Sequence, residues 1–208
     1  MIKNELQHIF SGQGEVKFGT VIQAIISYLA GSEESSEKNQ QDKYFRKEET
    51  KRLISWIENE SFWYLNIDFN AFVSEGAEQK VFLNNDYEVL KLNDGIYYSS
   101  WKEYLQNLLL NNYFFPDTAY ELLGFYSEND ILYAVVRQKF VKSDEATNLE
   151  KVKEFLTNNG FKNIRNNDYY NEDLGIILED LHDENVLTQN GILFFIDTVF
   201  YTEQNFYK

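Results

Sequence analysis

Three oxygen-bearing side chains in the C-terminal part of the sequence could hold a hard cation. Asp180 and Asn185 are five positions apart within the segment 179–187, and Asp197 directly follows the apolar run 192–196. Each stands at the end of a short segment with the residue types of a strand. Mg²⁺ prefers oxygen ligands, usually one or two carboxylates together with substrate phosphates. The pattern therefore indicates phosphoryl transfer, and the alternative is an acidic hairpin on the surface of an acidic protein.

The order Asp-Leu-His-x-x-Asn, followed by an apolar strand that ends Ile-Asp, resembles the catalytic and metal-binding loops of the protein-kinase-like superfamily. Further similarity extends to the small kinase-like domains found in polyvalent proteins of phages and conjugative elements. It covers roughly residues 68–200 and includes the segments 117–124 and 138–141. The resemblance implies that Asp180 is the catalytic residue that accepts or orients the proton of a hydroxyl. It also implies that Asn185 and Asp197 hold Mg²⁺.

The same resemblance implies an ATP site upstream of these loops. Lys91, in Glu-Val-Leu-Lys, corresponds to the third-strand lysine that contacts the α- and β-phosphates in kinases, although a lone strand lysine is more often exposed. Gly76 belongs to a degenerate glycine-rich loop that covers the phosphates. Gln138 and Phe140 lie in the expected hinge, whose backbone meets the adenine. Glu103, on the next helix, is the expected partner of Lys91.

The elements that must position these residues follow from the hydrophobic pattern and predict an α+β fold. Residues 61–208 are predicted to form a reduced protein-kinase-like domain, with an antiparallel-sheet N-lobe that carries one helix and with a truncated C-lobe. Few residues follow Asp197, so we expect the helices that bind peptide substrates in larger kinases to be missing. The predicted helices are 101–113 and 146–159, and the predicted strands are 70–75, 79–84, 87–92, 122–126, 131–136, 175–178, 186–187 and 192–196.

Residues 1–60 are predicted to form a helical N-terminal extension. The apolar segment 21–29 and the segment around Leu53 and Ile57 have the pattern of helices, and the polar residues 32–43 between them indicate a linker. A helix as apolar as 21–29 would expose a large hydrophobic surface if it stood alone in water. We therefore expect the extension to pack on the kinase-like domain.

The composition narrows the choice of partners and of compartment. The formal net charge of −15 repels nucleic-acid phosphates and anionic membranes, so neither direct nucleic-acid binding nor membrane binding is expected. There is no cysteine, which excludes disulfides and thiolate metal sites and makes a reducing cytoplasm the expected setting. The sequence also contains no apolar run near the roughly 18 residues that span a bilayer.

These observations predict an ATP- and Mg²⁺-dependent phosphotransferase that acts on a hydroxyl of a protein or a small molecule. One alternative is a nucleotide-binding pseudokinase that regulates a partner, which the loss of the substrate lobe favours. Another is an acidic, non-enzymatic interaction or mimic protein of a mobile element. The sequence departs from the kinase pattern at Leu178, where kinases often have histidine, and at Thr198, which follows Asp197 in place of Phe-Gly. The sequence names neither the acceptor nor the oligomeric state.

Overall fold

The computed structural model describes residues 2–31, 42–77 and 79–208. Among the described residues three helices come first, and strands interrupted by two further helices follow. Short 3₁₀ turns at Phe69–Ala71, Pro116–Thr118 and Gln204–Tyr207 connect or end these elements. Their bounds are α1 Ile2–Phe10, α2 Gly19–Ala30, α3 Asp42–Asn59, β1 Phe72–Glu75, β2 Gln79–Asn85, β3 Glu88–Asn93, α4 Trp101–Phe114, β4 Glu121–Glu128, β5 Ile131–Lys139, α5 Leu149–Asn158, β6 Lys162–Arg165, β7 Asp168–Asn171, β8 Ile176–Glu179, β9 Val186–Gln189, β10 Ile192–Phe195 and β11 Val199–Thr202.

The first sheet is antiparallel and has the strand order β1-β2-β3-β5-β4. Strand β3 lies at its centre, so that Lys91 is paired with Val81 on one side and with Val136 on the other. The β4–β5 turn has positive φ at Asn129 and Asp130, as a tight two-residue hairpin requires. Helix α4, between β3 and β4 in the chain, packs on this sheet through the shared core.

The second half of the chain forms two small antiparallel sheets, ordered β11-β8-β7-β6 and β10-β9. Strand β8 ends directly before Asp180, and strand β10 ends two residues before Asp197. The chain then turns back, and β11 pairs with β8 so that Val199 lies opposite Glu179. This pairing brings Asp197 close to Asp180, although the β9–β10 hairpin separates them in sequence.

One hydrophobic core unites the N-terminal helices with the rest of the chain. Leu6, Ile22 and Leu53, from α1, α2 and α3, are fully buried in the same cluster as Leu105 of α4. The Glu49 carboxylate of α3 also accepts hydrogen bonds from the first backbone N–H groups of α4. The expected packing of the extension on the domain is therefore confirmed.

The α+β class and the antiparallel sheets are confirmed, and most predicted elements occur within a few residues of their predicted bounds. Helix α5 begins at Leu149 rather than at residue 146, because the side chain of Asn148 accepts hydrogen bonds from two backbone N–H groups of its first turn. The sequence interpretation missed α1, β6, β7 and β11. Of the predicted linker 32–43, residues 32–41 lie outside the described residues, and the last two belong to α3. None of the described helices is long and apolar enough to cross a membrane.

Candidate functional site

A cleft of about 480 Å³ opens between the β1–β2 turn, the β8–β9 connection and the β3–α4 loop. The cleft brings together four of the predicted site residues, Gly76, Asp180, Asn185 and Asp197. Its described lining also includes Ala77, Gln79, Tyr97, Glu179, His182, Glu184, Val199 and Tyr201. Beneath it lies a polar cavity of about 10 Å³, which shares two lining residues with the cleft and is also lined by Lys91.

Lys91 reaches the loop that contains Asp197 from the centre of the first sheet. Its side chain is 7% exposed, and its Nζ donates a hydrogen bond to the backbone oxygen of Ile196 at 2.7 Å. The same ammonium lies 3.8 Å from Oδ1 of Asp197 and 5.4 Å from the centre of the Tyr120 ring. The Tyr120 hydroxyl donates to the Ile196 oxygen as well, at 2.9 Å. Lys91 therefore holds its charge beside Asp197 in a site that is largely shielded from water.

Glu103 makes different contacts from those predicted. Its carboxylate accepts hydrogen bonds from the backbone N–H and the hydroxyl of Ser99, each at 2.7 Å, at the beginning of α4. The ion pair that the structure gives Lys91 is with Asp197. The physical reason is local, because a glutamate in the first turn of a helix readily bonds the donors that precede the helix.

Gln79 is a site residue that the sequence interpretation missed. Its side-chain amide donates a hydrogen bond to Oδ2 of Asp197. The backbone N–H of Gly76 donates to the backbone oxygen of Gln79 at 2.8 Å. This hydrogen bond closes the β1–β2 turn and places Gln79 at the cleft. The position of Gln79 three residues after Gly76, inside the degenerate glycine-rich loop, was the available signal.

Asn185 ties the Asp180 loop to the Asp197 loop. Its side-chain nitrogen donates to the backbone oxygen of Asp180 at 2.8 Å and to Oδ2 of Asp180 at 3.0 Å, and it lies 3.1 Å from Nε2 of His182. Its backbone oxygen accepts from the N–H groups of Ile196 and Asp197 at 2.9 and 3.3 Å. Because the amide nitrogen makes these contacts, the amide oxygen is the atom with which Asn185 can coordinate a cation.

Asp180 adopts a left-handed backbone conformation, with φ of 65°. This conformation is uncommon for a residue other than glycine, and it persists where surrounding contacts enforce it. Here the Asp180 N–H donates to Oδ1 of Asp168 at 3.1 Å, and the Asp180 oxygen accepts from Asn185 and from the backbone N–H of His182. The structure thus adds Asp168, from β7, to the residues that shape the site. No sequence motif pointed to Asp168.

The wall of the cleft next to Asp180 is acidic. Partial burial, together with the neighbouring charges of Asp168 and Asp180, raises the pKa of Glu179 above its ordinary value. In the part of the chain that the structure describes, no three His, Asp or Glu side chains are grouped as a metal site. One carboxylate and one amide oxygen nevertheless suit Mg²⁺, which takes its remaining ligands from phosphates and water. Asp197 and Asn185 are such a pair of donors.

The two predicted hinge residues do not line the cleft. Gln138 is 2% exposed, and its side chain donates to the backbone oxygen of Thr118 at 2.8 Å. The backbone N–H of Phe140 donates to the oxygen of Tyr87 at 2.7 Å, which continues the pairing between β3 and β5. The predicted adenine contacts of Gln138 and Phe140 therefore remain a prediction.

Comparison with known proteins identifies a family for most of the chain. Residues 46–204, which are 159 of the 208 residues, match the family model described as serine/threonine/tyrosine kinase found in polyvalent proteins. No curated protein and no solved structure matches the chain. The matched region contains Lys91, Asp180, Asn185 and Asp197, the residues whose geometry has just been described. The chain therefore belongs to the kinase family found in polyvalent proteins.

Proposed function

We propose that the protein is an ATP- and Mg²⁺-dependent phosphotransferase that acts on a hydroxyl, with a reduced kinase-like fold. In this proposal β1 to β5 and α4 form the N-lobe, and the segment from α5 to β11 forms the reduced C-lobe. The observation that carries the proposal is the meeting of Lys91, Asp180, Asn185 and Asp197 at one cleft and the small cavity beneath it; they come from three segments, β3, the β8–β9 connection and the residues after β10. Phosphoryl transfer needs a cationic side chain on the phosphates, a pair of metal ligands and a carboxylate beside the attacking hydroxyl.

Each residue has a distinct role in this proposal. Lys91 contacts the α- and β-phosphates of ATP with its fixed charge, and Asp197 and Asn185 hold Mg²⁺. The Mg²⁺ ion, when bound, neutralises part of the phosphate charge. Asp180, whose side chain is 59% exposed, orients the acceptor hydroxyl and takes its proton. Gln79, at the glycine-rich turn, gives up its hydrogen bond to the Asp197 carboxylate so that Asp197 can coordinate the metal.

A nucleotide-binding pseudokinase is the second candidate, and one observation favours it. Both carboxylate oxygens of Asp197 already have protein partners, Gln79 at Oδ2 and Lys91 at Oδ1. A protein that uses these contacts for structure would bind nucleotide weakly or without turnover.

Two carboxamide substitutions separate the candidates, because the two carboxylates have different roles. Asp197→Asn should remove most of the Mg²⁺ dependence of ATP binding, since a neutral amide is a poorer ligand for a hard cation. Asp180→Asn should leave ATP binding nearly unchanged and lower the rate of phosphate release or transfer by about 10²-fold or more, the scale of losing a general base. Asp183→Asn is the matched control, because Asp183 lies in the same loop but does not line the cleft.

The measurements are calorimetric binding of Mg·ATP and the release of labelled phosphate from ATP, with and without candidate acceptors. Binding without any release or transfer by the parent protein would favour the pseudokinase. If neither ATP nor Mg²⁺ shifts the melting temperature, both nucleotide-based functions fail, and an interaction or mimic protein remains.

A further inference from the structure

The β3–α4 loop contributes a tyrosine to the lining of the cleft that contains Asp180. Tyr97 is 60% exposed and lines the cleft together with Asp180 and Asp197. The next residue, Tyr98, is 3% exposed and packs its ring against Tyr104. The two neighbouring tyrosines therefore differ, because Tyr98 is buried in the core and Tyr97 is exposed at the cleft.

Hydrogen bonds anchor the backbone of the loop that carries Tyr97. The guanidinium of Arg46 donates to the backbone oxygens of Asp94 and Tyr98, on both sides of Tyr97. The backbone oxygen of Tyr97 accepts from the hydroxyl of Tyr201 at 3.5 Å. Among the described residues, the structure gives the Tyr97 hydroxyl no hydrogen-bond partner. The anchored loop therefore holds this hydroxyl at a defined place beside the cleft.

The other hydroxyl groups close to the metal loop are engaged. Among the described residues that line the cleft, Tyr201 is the other one with a hydroxyl. It lies within β11 opposite Ile177, and its ring packs on that of Tyr98 at 5.7 Å. Thr198, directly after Asp197, is 2% exposed and donates to Oδ1 of Asn111 at 2.7 Å. Tyr97 is therefore the hydroxyl in the cleft that is available to an activated phosphate.

We infer that Tyr97 is a phosphorylation site that the protein modifies in its own cleft, an inference that rests on the proposed function. The Tyr97 phenolic oxygen forms a bond to the γ-phosphorus of ATP, and the bond from that phosphorus to the β,γ-bridging oxygen breaks. ADP leaves with the electron pair of that bond, and the carboxylate of Asp180 takes the phenolic proton. The reaction needs only Mg·ATP as co-reactant.

The product would not stay where it forms. A phosphotyrosine carries about −1.5 to −2 charges at neutral pH, and it would stand beside Asp180 and Glu184 in an acidic cleft. Like-charge repulsion favours the rotation of the modified ring toward solvent, which its exposed position permits. Modification of Tyr97 therefore clears the cleft for another acceptor.

The experiment incubates the full chain with Mg·ATP labelled at the γ-phosphate and maps the labelled residues by mass spectrometry. Label should accumulate on Tyr97, and the rate per molecule should not change when the protein is diluted tenfold, because the reaction is intramolecular. Tyr97→Phe should remove most of the label. Tyr87→Phe is the matched control and should keep it, because Tyr87 is 77% exposed but does not line the cleft.

A mixing experiment tests the intramolecular step directly. The Asp180→Asn variant, mixed with the parent protein, should remain unlabelled at Tyr97, and labelling of the variant would overturn the intramolecular assignment. ATP hydrolysis or transfer to an added acceptor, with no label on Tyr97 or with label elsewhere, would overturn the inference and leave the proposed function standing. If the parent protein neither hydrolyses ATP nor transfers its phosphate, the proposed function fails and the inference fails with it.

Discussion

Replacing Lys91 with methionine tests the buried cation at the centre of the proposed nucleotide site. The substitution keeps most of the aliphatic volume and removes the charge. In the structure the ammonium contacts the Ile196 backbone oxygen at 2.7 Å and lies 3.8 Å from the Asp197 carboxylate. The side chain is 7% exposed, so these contacts are made with little help from water. The substitution should therefore affect both the stability of the fold and the binding of ATP.

The size of each effect follows from these contacts. At an effective dielectric constant of about 20, two charges at this separation attract by about 4 kcal/mol, and the cost of removing both from water offsets much of that. Tyr120 still bonds the Ile196 oxygen in the variant, and Gln79 still bonds Asp197. We expect a net loss of about 1–3 kcal/mol in the free energy of unfolding, or roughly 2–12 °C in Tm for a chain of this size.

The loss in ATP affinity should be larger in relative terms. A hydrogen bond from an ammonium to a charged phosphate contributes about 1.5–3 kcal/mol. At about 1.4 kcal/mol per tenfold, its removal raises Kd for Mg·ATP roughly 10- to 100-fold.

Urea unfolding measures the first quantity, and calorimetric titration with a non-hydrolysable ATP analogue and Mg²⁺ measures the second. Lys80→Met is the matched control, because Lys80 lies on the neighbouring strand β2 and pairs with Glu128 at 3.2 Å, but does not line the cleft. The control should bind the analogue like the parent protein. If Lys91→Met binds it as tightly as the control does, Lys91 contacts no phosphate and the assignment of the site is wrong.

Two further predictions concern stability. Burial raises the pKa of Glu49, which is 6% exposed and whose carboxylate accepts hydrogen bonds from the N–H groups of Trp101 and Lys102. The contribution of Glu49 to stability should therefore be fully present below the ordinary glutamate pKa of 4.5 and be lost as the pH rises through the raised value. Glu49→Gln should remove that loss. The difference in urea-unfolding free energy between the variant and the parent should therefore shift in favour of the variant as the pH increases above about 4.5. Parallel plots of unfolding free energy against pH for the two proteins would contradict the assignment. Asp180→Gly should abolish phosphate transfer. Its free energy of unfolding should nevertheless be about 1 kcal/mol higher than that of Asp180→Ala, because glycine adopts the positive φ of this position without steric cost. Equal stability of these two variants would show that the left-handed conformation stores no strain.

The sequence was sufficient to predict that the residues of the short motif lie together at one site, and their roles stay a prediction. The spacing of Asp180 and Asn185 and the apolar run before Asp197 depend on local strands and turns, and these elements formed as predicted. The local sequence pattern did not predict that Lys91 is buried, because a lysine in a strand is usually exposed. Its burial comes from the central place of β3 between β2 and β5, which a pattern within one strand does not specify.

Elements with weak local patterns were missed for a physical reason. Strands β6 and β7 have four residues each, Lys-Asn-Ile-Arg and Asp-Tyr-Tyr-Asn, and charged or amide side chains make up three residues of the first and two of the second. Such short segments become strands because they pair with each other and with β8, and long-range pairing leaves little trace in a single sequence. Gln79 was missed because its partner, Asp197, is more than a hundred positions away.

The position of the proposed catalytic carboxylate depends on these missed strands. Register pairing of β7 with β8 sets Tyr169 opposite Leu178, which brings Asp168 beside the end of β8. From there Asp168 accepts the Asp180 N–H, and Asn185 bonds the Asp180 oxygen from the other side. Two side chains from different elements thus enforce a backbone conformation that a non-glycine residue rarely adopts. Because that conformation sets the direction of the Asp180 side chain, the β7–β8 hairpin, which lies outside the motif, is as necessary to the site as the motif itself.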